Sequence, residues 1–281
     1  MPTPPVDRTI STLRSRVALW RGAGTKIALV PTMGALHAGH LALVQEARKR
    51  ATRVVASIFV NPRQFAPNED YGSYPRDEGA DIAKLGDNGA DVVFAPTAEE
   101  MYPAGFATSI AVSGPANELE AVTRPHFFGG VATVVAKLLH AATPDIAIFG
   151  EKDYQQLLVI KRMVTDLAFP VEIVGYPTVR EPDGLALSSR SAYLTPAERE
   201  KAPLLHATLQ ETAAAVRGGK PVDASLGTAQ SKLAAAGFLV DYFKLRNAET
   251  LAPVEDPATE PMRLLAAAWL GKTRLIDNVP V

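Results

Sequence analysis

Between about residues 26 and 174 short β-branched runs alternate with helix-length amphipathic segments, and beyond about residue 181 helices come first and strands follow. That order predicts an α/β protein: a Rossmann-like parallel sheet with helices on both faces, then a smaller C-terminal α+β domain. The domains are expected at 1–182 and 183–281. A chain of 281 residues, 47% hydrophobic and 21% charged, is long enough to bury both cores.

The expected buried strands are 26–30 (KIALV), 53–60 (RVVASIFV), 91–94 (DVVF), 145–149 (DIAIF) and 171–174 (VEIV). Between the first two, the segment 40–50 puts Leu41, Val44 and Ala47 on one helical face. Val131, Val134, Val135, Leu138 and Leu139 keep helical spacing, as do Leu157, Ile160, Val164 and Leu167 after Asp153. Alternating strands and helices imply right-handed crossovers, and an open sheet of this kind takes its ligand beyond the carboxyl ends of its strands. In the second half, 196–217 reads as one helix opened by Thr195 as N-cap and Pro196 in the first turn, and 221–236 as another. Strands are expected at 240–246, 262–270 and 274–276, the last two joined by Gly271-Lys272 at hairpin spacing. The Pro-rich residues 1–5 read as a loose terminus.

Twenty-nine Lys plus Arg against thirty Asp plus Glu leave a net charge of −1, which removes the usual electrostatic case for nucleic acid or an anionic membrane as partner. With no Cys there is no disulfide scaffold, cysteine nucleophile or thiolate metal site. The start MPTPPVDRTI has no basic stretch followed by an apolar core, and no run approaches a membrane span. A soluble, cytoplasmic protein is expected.

Four polar clusters stand out, three of them compatible with phosphate. The first, 31–40 (PTMGALHAGH), lies between the first strand and the first helix. His37 and His40 are three apart at a helix start, where free N–H groups and the helix dipole favour an anion. Two solvated helix-start histidines, or a metal pair with no third ligand nearby, are the alternatives. In the second, 149–153 (FGEKD), Gly150 gives backbone access and Lys152 a mobile point charge; an ordinary strand–helix turn capped by Asp153 reads equally well. The third, 185–190 (LALSSR), offers two hydroxyls and an Arg to a triphosphate, or is a Ser-rich turn. The fourth, 60–65 (VNPRQF), carries Asn61 and Gln64 as neutral donors and acceptors, or is a capped turn with an aromatic plug; the segment 154–156 (YQQ) adds an amide one turn into its helix. No P-loop, no Gly-x-Gly-x-x-Gly after the first strand and no Gly-x-Ser-x-Gly elbow is present.

Taken together, VPTMGALHAGH, SIFVNPRQF, YPRDEGAD, FGEKDYQQL, DGLALSSR and the C-terminal TRLIDN resemble the pantothenate synthetase family, the pantoate–β-alanine ligases. The His-x-Gly-His element alone marks a wider nucleotidyltransferase superfamily; the VNPxQF and FGEKDxQQ stretches are far more specific. The resemblance implies attack of the pantoate carboxylate on Mg²⁺-bound ATP to form pantoyl adenylate and pyrophosphate. Attack by the β-alanine amine would then release pantothenate and AMP. It implies that His37 and His40 contact the triphosphate, with His40 as proton donor. Lys152, Ser188, Ser189 and Arg190 would hold the phosphates. Met33, Gly34, Ala35, Leu36, Ala38, Gly39, Gly150, Glu151, Asp153, Val179 and Leu187 would surround the nucleotide. Asn61, Gln64 and Gln156 would bind pantoate, Gln64 also lying near β-alanine. Magnesium would bind mainly through ATP oxygens, and the resemblance further implies a homodimer through the N-terminal domain. The two-domain pattern suggests the C-terminal domain as a lid.

Departures from the family pattern are visible. Where the family often has Arg-Pro-x-His-Phe-x-Gly, His126 sits one place nearer Arg124 and Phe127 takes the histidine position. Ala80 replaces the first of two acidic residues near the metal, leaving Asp81; Ser191 follows Arg190 where Asn is common, and Leu187 stands for Met. The rival readings are another nucleotidyl-transferring enzyme, which should lack the paired glutamines, and a non-catalytic nucleotide-binding protein, which should lack Lys152 or a histidine.

Overall fold

The computed structural model describes residues 3–67 and 69–281, which divide into two compact units, 1–151 with 159–177 and 152–158 with 178–281. The break at 177/178 precedes the expected 182/183, and the stretch 152–158 groups with the second unit.

In chain order the first part holds β1 (Val6–Asp7), α1 (Ile10–Gly22), β2 (Ile27–Thr32), α2 (Ala38–Arg50), β3 (Arg53–Ile58), α3 (Glu78–Asp87), β4 (Val92–Phe94), α4 (Ala98–Met101), α5 (Glu120–Thr123), α6 (Phe127–Ala142), β5 (Ile146–Gly150), α7 (Tyr154–Asp166) and β6 (Glu172–Tyr176). Among the described residues the six strands form one parallel sheet in the order β1-β4-β3-β2-β5-β6. Side chains alternate across it. Ala28, Val30, Val54, Ala56, Val93, Ile146 and Ile148 bury against Leu43, Val44 and Ala47 of α2 and Leu85 of α3. The alternate set, among them Ile27, Leu29, Val55, Phe94 and Ala147, is equally buried on the other face, where α6 packs on β2 and α1 on α6. Burial on both faces is what runs such as RVVAS, with no polar alternation, require. The chain runs outward from β2 through β3 and β4, then returns to place β5 on the other side of β2. This reversal puts the sheet's topological switch point at the carboxyl ends of β2 and β5.

Some expectations are corrected here. Residues 3–5 are not loose throughout: the Pro5 carbonyl accepts the Val93 N–H at 3.0 Å, extending the edge strand (Met1 and Pro2 lie outside the described residues). Helix α1 is additional to the predicted elements; Thr9 caps it through a box with Thr12, and Leu13 and Val17 are its buried face.

The second unit contains α8 (Pro196–Lys201), α9 (Leu204–Arg217), α10 (Val222–Ala235), β7 (Phe238–Asn247), β8 (Met262–Leu270) and β9 (Thr273–Pro280). The three strands form an antiparallel sheet, β7-β8-β9, covered by α9 and α10. Leu209, Ala213, Leu233, Phe243, Leu264, Ala266 and Ala268 make its core. Thr195 is the expected N-cap with Pro196 in the first turn, and Glu198 completes a capping box that adds to this expectation. The single helix expected over 196–217 is two, because Pro203 has no N–H to continue α8 and instead precedes α9. The Gly271 turn has φ +57° and joins β8 to β9 with Leu270 opposite Thr273.

Candidate active site

The loop after β2 is shaped by one buried carboxylate. Gly34 and Ala35 both have positive φ, +82° and +51°, a conformation costly for alanine. Asp81, at the start of α3 and 2% exposed, compensates by accepting the Ala35 N–H at 2.7 Å and the Leu36 N–H at 2.9 Å. The Leu36 carbonyl in turn accepts from Lys84 Nζ at 3.0 Å. At the foot of the loop, Thr32 Oγ1 donates to the Ser57 carbonyl at 2.6 Å and accepts the Gly34 N–H at 3.2 Å.

The loop delivers His37 to the N-cap of α2. His37 Nδ1 accepts the Gly39 N–H at 3.1 Å, and His40 Nδ1 accepts the His37 N–H at 3.4 Å. This is a capping box made from two imidazoles, with ring centroids 4.1 Å apart. With Nδ1 accepting, a neutral ring carries its proton on Nε2, so each histidine is set as an Nε2 donor beside a positive helix end.

The loop after β3 builds a second group. Asn61 caps the 3-10 turn Pro62–Gln64. Its side chain is saturated within the protein: Oδ1 accepts the Arg63 N–H at 3.2 Å and the Tyr102 hydroxyl at 2.7 Å, while Nδ2 donates to Gln64 Oε1 at 3.0 Å and to the Gly130 carbonyl at 3.1 Å. Expected as a pantoate ligand, Asn61 is 1% exposed and has no unused hydrogen-bonding position. Among the described residues Gln64 Nε2 donates to the weak acceptor Met33 Sδ, at 3.0 Å. Arg124 makes a bidentate pair with Glu69, both bonds 2.7 Å, and donates to the Gln64 carbonyl at 3.1 Å. Burial works against the charge on Glu69, but Arg124 outweighs it and holds the carboxyl below its usual range. Phe127, at the family's histidine position, lies under the Arg124 guanidinium at 3.9 Å. His126 makes no side-chain cap to α6.

The second unit, by itself, holds other residues expected to bind ligands. Lys152 and Asp153 lie in the 3-10 turn Glu151–Asp153 before α7, half-buried like Gln156. The Lys152 carbonyl accepts Asn278 Nδ2 at 3.0 Å; Asn278 Oδ1 accepts Arg263 Nε at 2.6 Å, and the Arg263 guanidinium covers the Tyr154 ring at 3.6 Å. Val179 and Leu187 are brought together by a backbone bond of 3.0 Å beside an isolated bridge between Arg180 and Ala186. The 185–190 cluster therefore follows this bridge rather than a strand of the parallel sheet. Ser188 caps the 3-10 turn Ser189–Tyr193 by accepting the Arg190 N–H at 3.3 Å. Tyr102 and Gly130 were not legible as partners of Asn61, because each reaches it from far away in the chain.

Among the described residues no group of three His, Cys, Asp or Glu side chains could hold a metal ion. Asp81, the acidic residue expected near the metal, already uses each oxygen on a backbone N–H.

An open, doubly wound parallel sheet with polar loops at its switch point is the scaffold of a ligand-binding α/β enzyme. The chain belongs to the pantoate–β-alanine ligase family, whose model matches residues 6–280, and is thereby an enzyme, a ligase. It is 54% identical to the pantothenate synthetase of Rhodopseudomonas palustris (strain HaA2), over the full length of both, and 55% identical to that of Rhodospirillum rubrum, over 99% of each. The crystal structure of pantothenate synthetase from Thermus thermophilus superposes with a TM-score of 0.91 at 48% identity, covering 98% of each chain. A pantoate-β-alanine ligase from Francisella tularensis, complexed with β-γ ATP and β-alanine, matches with a TM-score of 0.82 at 36% identity over 99% of this chain and 97% of that one. No helix among the described residues is long and apolar enough to cross a membrane.

Proposed function

We propose that the protein condenses pantoate with β-alanine in two ATP-driven steps. In the first, a pantoate carboxylate oxygen attacks the α-phosphorus of ATP, the bond to the β-phosphate oxygen breaks, and pantoyl adenylate and pyrophosphate form. In the second, the β-alanine amine attacks the acyl carbonyl, the bond to the AMP oxygen breaks, and the amine proton leaves as pantothenate and AMP are released. Such chemistry needs positioning and charge stabilisation rather than a covalent nucleophile.

The observation that carries this reading is the imidazole capping box of α2, which sets His37 and His40 as Nε2 donors at a helix N-terminus. There they stabilise charge on the departing pyrophosphate, with His40 as proton donor. Backbone from Met33 through Gly39 and from Gly150 to Asp153, together with Val179 and Leu187, surrounds the nucleotide. Lys152, Ser188, Ser189 and Arg190 hold phosphate oxygens. Gln64 and Gln156 bind pantoate, Gln64 also serving β-alanine. Magnesium arrives with ATP and offsets phosphate charge. The enzyme acts in the cytoplasm as a homodimer formed through its N-terminal domain.

AMP release from the purified protein, with ATP, magnesium, pantoate and β-alanine omitted in turn, tests the reaction. AMP and pantothenate are expected only when all are present. Pyrophosphate exchange with pantoate but no turnover with β-alanine would overturn the acceptor assignment, and no adenylation by folded protein would overturn the reaction itself.

A further inference from the structure

Two backbone groups fix the orientation of the Asn61 amide. The Arg63 N–H can only donate and faces one terminal atom at 3.2 Å, so that atom is Oδ1; the Gly130 carbonyl can only accept and faces the other at 3.1 Å, so that atom is Nδ2. The consequences propagate outward. The second Nδ2 hydrogen points at Gln64 at 3.0 Å, so the Gln64 atom receiving it is Oε1. The NH₂ end of Gln64 is thereby the group left to a ligand, resting on the thioether of Met33. The second lone pair of Asn61 Oδ1 faces the Tyr102 hydroxyl at 2.7 Å, so the phenol is the donor.

We propose that Tyr102 is a positioning residue for pantoate. The backbone sets the orientation of Asn61 and Tyr102 steadies it there, so that Asn61 keeps Gln64 with its NH₂ outward; this subsite thereby takes an oxygen acceptor of the substrate, carboxylate or hydroxyl, and discriminates against a donor. The inference rests on the assignment of Gln64 to pantoate.

The surroundings keep the relay rigid. The Tyr102 ring packs edge-on to Phe106 at 5.1 Å and near Phe59 at 6.3 Å, and the Arg63 guanidinium lies 5.3 Å from its centroid. Burial pushes its phenol up to about 12, the charge of Arg63 opposing only in part, so the hydroxyl stays a donor across the neutral range. Gly130 makes the approach possible, because a Cβ there would lie 2.2 Å from the Arg63 carbonyl oxygen.

Tyr102→Phe removes one oxygen and keeps the ring. The expected result is a rise of about tenfold in the KM for pantoate, the scale of one lost hydrogen bond in a buried network, with the KM for ATP within about twofold and a melting temperature lowered by no more than about 4 °C. Added to Gln64→Ala, where the amide to be positioned is gone, the same change should alter the pantoate KM by less than about twofold. Asn61→Asp, which cannot donate to Gln64 Oε1, should reproduce the pantoate-selective rise. A pantoate KM unmoved by Tyr102→Phe would overturn the inference, as would an equal penalty in the Gln64→Ala background or an equal rise in the KM for ATP. A Gln64→Ala enzyme with normal pantoate KM would instead remove the assignment of Gln64, and the inference with it.

Discussion

Asp81 illustrates how far a single side chain can determine local backbone. Its two oxygens hold consecutive amides of a loop whose alanine is left-handed, and that loop presents His37 to the helix it caps. Asp81→Asn keeps the shape but turns one acceptor into a donor facing an N–H. We expect a loss of about 1–3 kcal/mol in stability, read by urea denaturation, together with a raised KM for ATP. Unchanged values in both measurements would show that the loop holds its form without the carboxylate. For the groups proposed to meet phosphate, His40→Ala and Lys152→Ala should each lower kcat by about a hundredfold or more, as removed oxyanion-type donors do. Near-normal turnover in either variant would remove the role given to that residue.

At the scale of an element, α6 carries two adjacent glycines with opposite requirements. A Cβ on Gly129 meets nothing nearer than the Ile110 carbonyl oxygen at 3.7 Å, an ordinary contact, whereas one on Gly130 would lie 2.2 Å from the Arg63 carbonyl oxygen. Alanine is the better helix former at both positions. Gly129→Ala should therefore be neutral or stabilising by up to about 1 kcal/mol. Gly130→Ala should cost about 1–3 kcal/mol through overpacking and loosen the Asn61 network. Melting temperatures of the two variants decide this, and equal shifts would refute the close approach.

Over the whole molecule, each unit has its own core, and the second is tied to a buried charge. Asp277 on β9 binds Arg180 at 2.6 and 2.8 Å and lies 3.2 Å from His206 Nδ1, which is ion-pair range without hydrogen-bond geometry. Gly184 is held open to this cluster at φ +93°, where a Cβ would meet the His206 ring at 2.9 Å. Burial pushes the Asp277 carboxyl up, but His206 and Arg180 outweigh it and leave it below its ordinary value. A depressed folded pKa stabilises at pH above the unfolded value and loses that stabilisation as pH falls through the folded one. The melting temperature should therefore fall between about pH 4 and lower pH more steeply in the parent than in Asp277→Asn. Asp277→Ala, which strands Arg180, should cost about 3–5 kcal/mol near neutrality. A variant as stable as the parent would show that the pair contributes nothing net.

The sheet was legible from the sequence because burial on both faces leaves continuous β-branched runs, and the C-terminal hairpin because a glycine must make its turn. The polar loops at 31–40, 60–65 and 149–153 were legible because each follows a strand of the parallel sheet, where such a sheet is expected to take its ligand; the 185–190 loop follows none. Hydrophobic period and turn chemistry are local, so the chain alone determined the fold class and the longer strands, while the motifs carried the resemblance to the family; α1 was not foreseen. The break at Pro203 was readable too, since a proline inside a helical pattern is a local signal. What only the tertiary structure decided are the pairings across long separations: Asp81 with the loop of Gly34 to Leu36, Tyr102 and Gly130 with Asn61, Asn278 with Lys152. Their partners are 41 to 126 residues apart, and no period or spacing records a hydrogen bond between groups that folding alone brings together.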